Sequence, residues 1–241
     1  MKAGTRVQHP ATGKALGYWR LLSGVSFGIV GLVGITGFAL PETAFASESD
    51  YSPRITVLVD NYSQASPAIL GGAEREAGRI MGKAGLRAVW LECPMGPSTA
   101  DRQGPCQKTP EATDIRLRVL AAPVQNKFGD TVFGFTVHPV LASVYYDYAV
   151  RRAKSDDAEF EIPIILGCVI AHELGHLLLG SNGHSGTGIM RPRWEPSQVQ
   201  QLRMGTLLFT TEQSKQMRVE ARARMRLQTG NPDPGLVPQS D

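Results

Sequence analysis

Two histidines and a glutamate at helical spacing are the residues of this chain best suited to chemistry. His172 and His176 are four positions apart, so on a helix their imidazoles project from the same face, one turn apart. Both rings can then bind one zinc ion, and Glu173, about 100° around the helix, can reach a water on that ion. The pattern predicts a zinc-dependent hydrolase in which Glu173 takes a proton from the water and delivers it to the leaving amine.

A third protein ligand must complete such a zinc site. Gly180 is placed to end the helix and Gly183 to reverse the chain, so His184 can return to the same ion. Glu195 is the alternative third ligand, because zinc peptidases of the thermolysin type use a carboxylate there. Met190, which follows two more glycines, is expected to form an apolar floor beneath the metal.

Other residues near this segment have simpler explanations. Cys168 lies four positions before His172 on the same helical stripe, but a single cysteine in an apolar run is predicted to be buried filler rather than a ligand. His138, on a presumed strand, is predicted to be an ordinary exposed or hydrogen-bonded histidine. Trp194 follows Met190 closely, and we expect it to pack rather than to border a pocket.

The segment 172–192 resembles the metzincin family of zinc metallopeptidases. It has the His-Glu-x-x-His helix, a later third histidine and a methionine-containing turn, and the His-Ser and Met-x-Pro pairs are similar to those of the matrixin branch. The spacing to His184 is two residues longer than the usual pattern, which would place Leu179 at the family's glycine and Asn182 at the third ligand.

The resemblance implies a zinc endopeptidase that cleaves a peptide or protein substrate. It also implies an α+β fold, a twisted mixed sheet with helices, in which the active-site helix is central and another helix lies at the C-terminus. The implied roles are zinc ligation by His172, His176 and His184, general base catalysis by Glu173, and a Met-turn at Met190. Two alternatives are a catalytically inactive, zinc-stabilised binding module and a non-peptidase hydrolase of the deformylase kind, whose third ligand is an upstream cysteine.

Hydrophobic patterning predicts the elements that must position these residues. A β-branched strand, an apolar stripe at helical spacing and a second strand open the chain, and this β-α-β order predicts parallel neighbours. The segment 161–179 is apolar on all sides apart from its site residues, which predicts a buried helix. The predicted strands are 54–59, 86–91, 114–120, 131–137 and 142–146, and the predicted helices are 66–84, 161–179 and 211–227.

The first 46 residues read as an export signal. Four basic residues precede an uncharged stretch, and Ala44-Phe45-Ala46 has the form of a cleavage site. The alternative is an uncleaved anchor at residues 21–40. Both options predict a protein that acts outside the cytoplasm, secreted or periplasmic, with a catalytic domain at 47–227 and a disordered tail at 228–241.

The cysteines and the net charge bear on the compartment and the partners of the protein. Cys93 and Cys106 flank a Gly/Pro-containing stretch and are predicted to form a disulfide, as suits an exported protein. Beyond residue 46 the chain has 21 basic and 21 acidic residues, because four of the 25 basic and one of the 22 acidic residues lie in the leader. A neutral domain argues against a nucleic-acid partner, and we expect a monomer that meets the membrane only through its N-terminal segment.

Overall fold

A five-stranded sheet with helices packed on it forms the framework of the protein. The computed structural model describes residues 52–94, 104–123, 132–155, 157–180 and 183–230. The strands are β1 (Arg54–Asn61), β2 (Arg87–Glu92), β3 (Asp114–Leu120), β4 (Gly134–Val137) and β5 (Leu141–Tyr145). The helices are α1 (Pro67–Lys83), α2 (Tyr146–Ser155), α3 (Ile162–Leu179), α4 (Pro196–Arg203) and α5 (Thr211–Thr229), with short 3-10 turns at Pro105–Gln107 and Glu159–Glu161.

The sheet is mixed, which confirms the predicted fold class. Its strand order is β2-β1-β3-β5-β4. The first four strands are parallel, whereas β4 is antiparallel to β5 and lies at the edge. The parallel pairing of β1 with β2 across α1 confirms the β-α-β opening. In β3 every second residue is buried, as expected for a strand with one solvent-facing side.

Helix α1 has the termini that its sequence predicts. Ser66 caps it by accepting a hydrogen bond from the Ile69 backbone N–H, and Pro67 occupies the first turn. The chain leaves the helix at Gly85, whose φ of +78° suits glycine. The helix therefore spans the space between β1 and β2 with its apolar stripe buried: Leu70, Ala73, Ala77, Ile80 and Met81.

Helix α3 is the central helix of the core. Among the described helices it is the one that is long and apolar enough to cross a membrane, but 83% of that apolar stretch is buried inside the fold. It packs closely on α1 at Gly167, where an added Cβ would lie 2.7 Å from the Ala73 carbonyl oxygen. The prediction of a buried helix is confirmed, and the residues it carries are held by the core.

The structure differs from the sequence predictions in places. Helix α2 was not predicted; it begins directly after β5. Helix α5 ends at Thr229, two residues into the predicted tail, because Gln228 bonds to the Thr113 hydroxyl. The edge strand begins at Gly134 rather than at 131. The leader 1–46 and the rest of the tail, 231–241, lie outside the described residues and stay predictions.

Candidate metal centre

Helix α3 brings two imidazoles together. The Nε2 atoms of His172 and His176 lie 3.1 Å apart. His172 is 2% exposed, and its Nδ1 is 2.8 Å from the Ile189 carbonyl oxygen. Because a carbonyl can only accept, Nδ1 carries the proton, and Nε2 keeps its lone pair for a metal. Such a carbonyl partner is the usual device that fixes the orientation of a metal-binding histidine.

The third imidazole joins them from the loop after α3. The His184 ring centre lies 4.6 Å from that of His176 and 5.6 Å from that of His172. One ring nitrogen from each of the three residues lies within 4.8 Å of the others. Two Zn–N bonds at a tetrahedral angle hold their nitrogens about 3.3 Å apart, so the helix-borne pair already has suitable spacing. The predicted triad is therefore assembled.

The loop that carries His184 is held by a distant helix. The Gln213 side-chain amide of α5 donates to the Gly183 carbonyl oxygen at 3.3 Å and to the Ser185 hydroxyl at 3.0 Å. These two residues flank His184 in the chain. Gln213 also closes the predicted capping box with Thr210, whose hydroxyl accepts from the Gln213 backbone N–H. The sequence indicated the cap, but it gave no sign of the contact with the loop.

Glu173 lies beneath the edge strand and lines the same cavity as the triad. An added Cβ at Gly134 of β4 would lie 3.1 Å from the Glu173 Cγ and 2.0 Å from the Ser143 carbonyl oxygen. A side chain at position 134 therefore cannot fit. Burial raises the pKa of the Glu173 carboxyl to about 8. A cation held by the imidazoles would oppose that shift, because it favours the carboxylate form.

The surroundings of the two helix-borne histidines favour neutral rings. Burial lowers the pKa of His172 to about 3. The hydrogen bond to the Ile189 carbonyl acts against this shift to a smaller extent, and the other two imidazoles add to it. Burial also lowers the pKa of His176 to about 4, and His184 and His138 add to the effect. Histidines bind metals as neutral imidazoles, so the two rings on the helix are ready to ligate at neutral pH.

Met190 is fully buried under the site. An added Cβ at Gly175 of α3 would lie 2.7 Å from the Met190 sulfur, and one at Gly183 would lie 3.3 Å from its methyl carbon. The same Cβ at Gly183 would lie 3.1 Å from the His176 Nδ1. The methionine thus packs against the helix and loop that carry the ligands, as expected of an apolar floor.

The aromatic side chains of Phe133 and Trp194 hold the His172 ring and its hydrogen-bond acceptor in place. The Phe133 ring meets His172 edge to face, with ring centres 5.0 Å apart, and lies 4.4 Å from the Trp194 ring. The Trp194 indole N–H donates to the Ile189 carbonyl at 3.1 Å, the oxygen that also accepts from His172. The packing role predicted for Trp194 is confirmed. Its shared acceptor was not predicted, because the contact depends on the path of the turn.

The other candidate ligands lie elsewhere. Glu195 is exposed at the start of α4 and pairs with Arg191, outside the triad. The Cys168 thiol is buried with Glu76 of α1 as its neighbour, 4.0 Å away, in keeping with the prediction of filler. Cys93 and Cys106 are bonded to each other, so neither thiol is free for a metal. Asn182 lies outside the described residues.

An open cavity of about 460 Å³ lies in front of the triad. One wall is β4, and Pro192 and His138 also line the cavity. His138 was expected to be an ordinary exposed or hydrogen-bonded histidine, with no part in a site. Within the described part of the chain β4 pairs with β5 alone. The Tyr145 N–H donates to the Phe133 carbonyl, and antiparallel residues alternate in direction, so the backbone groups of Gly134 and Thr136 point to the unpaired edge.

Comparisons with known proteins give a likeness to solved structures alone. No protein-family model matches the chain, and no curated protein matches it. A search of solved structures finds that the chain is similar to the crystal structure of archaemetzincin from Methanopyrus kandleri, at 14% identity and a TM-score of 0.44. The alignment covers 71% of this chain and 98% of that chain.

Proposed function

We propose that this protein is a zinc-dependent endopeptidase of the metzincin type. The observation that carries the proposal is the convergence of three imidazoles, with ring nitrogens within 4.8 Å of one another, beside a glutamate that is 3% exposed. Structural zinc sites are closed by four protein ligands, whereas three ligands next to an open cavity are typical of catalytic sites. The geometry therefore favours hydrolysis over a purely structural ion.

The donor set suits zinc. Three neutral nitrogen donors, two of them on one helix, are a common ligand set for this ion. His172, His176 and His184 would hold it, with Met190 as the residue of a Met-turn beneath them. When bound, zinc is a Lewis acid that activates water and polarises the scissile carbonyl.

Glu173 is the residue that we assign to proton transfer. Glu173 follows His172 on α3, so its side chain leaves the helix in a different direction from the imidazoles. The residue still lines the same cavity. The carboxylate would accept the proton of the attacking water and then deliver it to the leaving amine. Its burial under β4 shields that proton from bulk water.

The edge strand provides a template for the substrate. The backbone groups of Gly134 and Thr136 point outwards beside the cavity, so an extended peptide can add to the sheet by hydrogen bonding to them. Such pairing reads the main chain and holds the peptide straight across the triad. We therefore infer that the substrate is an unfolded segment or a flexible loop of a protein rather than a small molecule.

We also propose that the enzyme acts outside the cytoplasm, secreted or periplasmic or anchored by residues 21–40. The disulfide between Cys93 and Cys106 supports this, because such bonds persist in oxidising compartments. The same bond argues against the deformylase-like alternative, which needs an upstream cysteine as a free ligand. A zinc-stabilised binding module without activity is the alternative that an experiment must separate.

The test compares three variants of the purified full chain for zinc content and for cleavage of a peptide library. Glu173→Gln should keep one zinc per chain but lose cleavage by a factor of about 100 or more, the order expected for removal of a general base. His176→Ala should lose both. Glu195→Gln is the matched control, since it makes the same change in an exposed carboxyl outside the cavity. Wild-type protein that holds zinc but cleaves no peptide would support the binding module, and full activity of Glu173→Gln would refute the role of Glu173.

A further inference from the structure

A second cavity adjoins the candidate site at His138. It measures about 320 Å³ and lies between the C-terminal end of α3 and the middle of α5. His138 lines both cavities, so the second continues from the first past the end of β4. Its other walls combine apolar and polar residues: Pro139, Leu177, Leu178, Leu179, Gly180, Gln216, Val219, Glu220 and Arg224.

Arg224 lines this cavity and has one hydrogen-bond donor that is not used. The side chain is 6% exposed. Its Nε donates to the Glu220 carboxylate and its Nη2 to the Leu177 carbonyl oxygen, both at 2.8 Å. The buried Nη1 has no hydrogen-bond partner among the described residues. A buried donor without an acceptor is unfavourable, so an acceptor that enters the cavity gains from meeting it.

The charge around Arg224 selects the kind of acceptor. Glu220 already neutralises the guanidinium, and the carbonyl end of α3 makes the local potential more negative. An anionic ligand is therefore disfavoured. A neutral carbonyl oxygen matches the unused donor, and an apolar side chain that accompanies it can pack on Val219, which is the exposed apolar residue of this wall.

The geometry of β4 defines which part of a peptide can reach this cavity. Gly134 lies beside Glu173, and His138 is four residues further along the chain. Four residues of extended strand cover about 13 Å. A peptide that pairs antiparallel to β4 runs with its N-terminal part towards His138. Residues about four to six positions before the cleaved bond would therefore arrive at the cavity.

We propose that this second cavity is a remote substrate subsite, which binds an apolar side chain and a backbone carbonyl of the peptide on the N-terminal side of the scissile bond. The proposal rests on the proposed function, because the peptide must be held at the triad. It predicts that recognition extends well beyond the residues next to the cleaved bond and favours leucine-like side chains at the distant position.

The probe is a nested set of fluorescent peptides of alanine with an N-terminal leucine, each ending in a C-terminal hydroxamate. The hydroxamate chelates zinc, so the peptide extends from the metal along β4 towards His138 without being cleaved. Binding is measured by fluorescence anisotropy for lengths of three to seven residues. In the wild-type chain the Kd should fall about tenfold once the leucine reaches the cavity, the order expected for burial of one such side chain.

Two matched variants on α5 test the location. Val219→Glu places a charge at the wall of the cavity on a residue that is 56% exposed, and Leu227→Glu makes a similar change at a residue that is 76% exposed and outside it. The gain in affinity with length should vanish in Val219→Glu and persist in Leu227→Glu. Peptides joined to the hydroxamate through their N-terminus run the opposite way and should show no gain in either variant.

The outcomes separate this proposal from the function on which it rests. Equal Kd values at every length, or a length-dependent gain that survives in Val219→Glu, would overturn the subsite while leaving the zinc site intact. Failure of the hydroxamates to bind at any length would overturn the metal centre and the subsite together. Length-dependent binding without any cleavage of peptides by the wild-type chain would support the subsite but contradict the assigned catalysis.

Discussion

The helix-borne and loop-borne ligands of the candidate metal centre are held in different ways. His172 and His176 project from α3, whose surroundings are the hydrophobic core, and their Nε2 atoms are already 3.1 Å apart. His184 is exposed, and its loop depends on hydrogen bonds from Gln213, far along the chain. The comparison indicates that packing fixes one half of the site and a few polar contacts fix the other. Mutations in the two halves should therefore reduce zinc affinity to different extents.

Loss of a helix-borne ligand should have the largest effect. His176→Ala removes one of two preformed donors, and we expect no zinc after dialysis. His184→Ala should weaken zinc binding strongly but leave measurable affinity, because the other two imidazoles still converge. Both losses should exceed the roughly 10- to 100-fold reduction typical of outer-shell partners. Competition with a chromogenic chelator measures this, and equal affinities in the two variants would contradict the division between helix and loop.

Disruption of the loop anchor should come next. Gln213→Ala removes the side-chain bonds to Gly183 and Ser185, so we expect zinc affinity to fall by about 10-fold or more. Thr210→Ala is the control, since it removes the cap of α5 at a cost of about 1 kcal/mol but leaves those bonds to the loop. Zinc competition and thermal unfolding together distinguish the variants. If both lose zinc to the same extent, the loop contact is not what positions His184.

Removal of the indole donor should have a smaller effect on the helix-borne half. Trp194→Phe keeps an aromatic ring against Phe133 but loses the N–H that donates to the Ile189 carbonyl. His172 keeps its own bond to that oxygen, so zinc affinity should fall by less than about 10-fold. The same chelator competition measures it. A loss larger than that of Gln213→Ala would show that the helix side also depends on polar support.

The smallest expected effect is on the stability of the fold, at a residue of α1 outside both halves of the metal centre. Burial, with a further contribution from Glu92, raises the pKa of Glu74 from 4.5 to about 7. The folded state therefore binds this proton more tightly than the unfolded state, and stability declines as the pH rises from about 4.5 through 7. Glu74→Gln should stabilise the metal-free protein by about 1 kcal/mol at pH 8 and leave it unchanged at pH 4, the effect being moderated by partial exposure.

Urea unfolding at the two pH values provides this measurement. A variant that is no more stable than the wild type at pH 8 would contradict the assignment. The Glu74→Gln variant also helps the comparison of the helix-borne and loop-borne ligands, because it removes the contribution of Glu74 to the pH dependence of folding stability. The remaining change in zinc affinity with pH can then be attributed to the imidazoles, which must be neutral to bind, and to Glu173, whose carboxylate form a bound cation favours.

The elements and site residues that could be predicted well from the sequence are those that depend on the spacing of nearby residues. Helix α3 and its three site residues follow from one apolar run with an i, i+4 pair, and β1, α1 and β2 follow from periodicity and end signals. The chain between positions 146 and 155 is different. Helix α2 has only ten residues and begins directly after a strand. Its buried side chains are Tyr148, Ala149 and Ala153, so its apolar stripe is short and made largely of alanine, which is a weak signal in the sequence.

Contacts across long stretches of chain could not be predicted. The bond from Gln213 to Ser185 joins residues 28 positions apart, and nothing periodic connects them. Likewise, only the folded turn shows that Trp194 and His172 share the Ile189 carbonyl. Physical rules identify which residue types can meet, whereas the path of the backbone decides which of them do.

Among the described residues, the side of β4 that faces away from β5 has no strand partner, and this makes its amide groups a reporter of peptide binding. The amide hydrogens of Gly134 and Thr136 point away from the sheet, so in the free protein they are open to exchange with deuterium from the solvent. A peptide that adds to this edge would protect those two amides and leave their neighbours, already bonded to β5, nearly unchanged. Deuterium uptake at alternate residues of a single short strand would thus reveal both the presence of a bound chain and the side from which it docked.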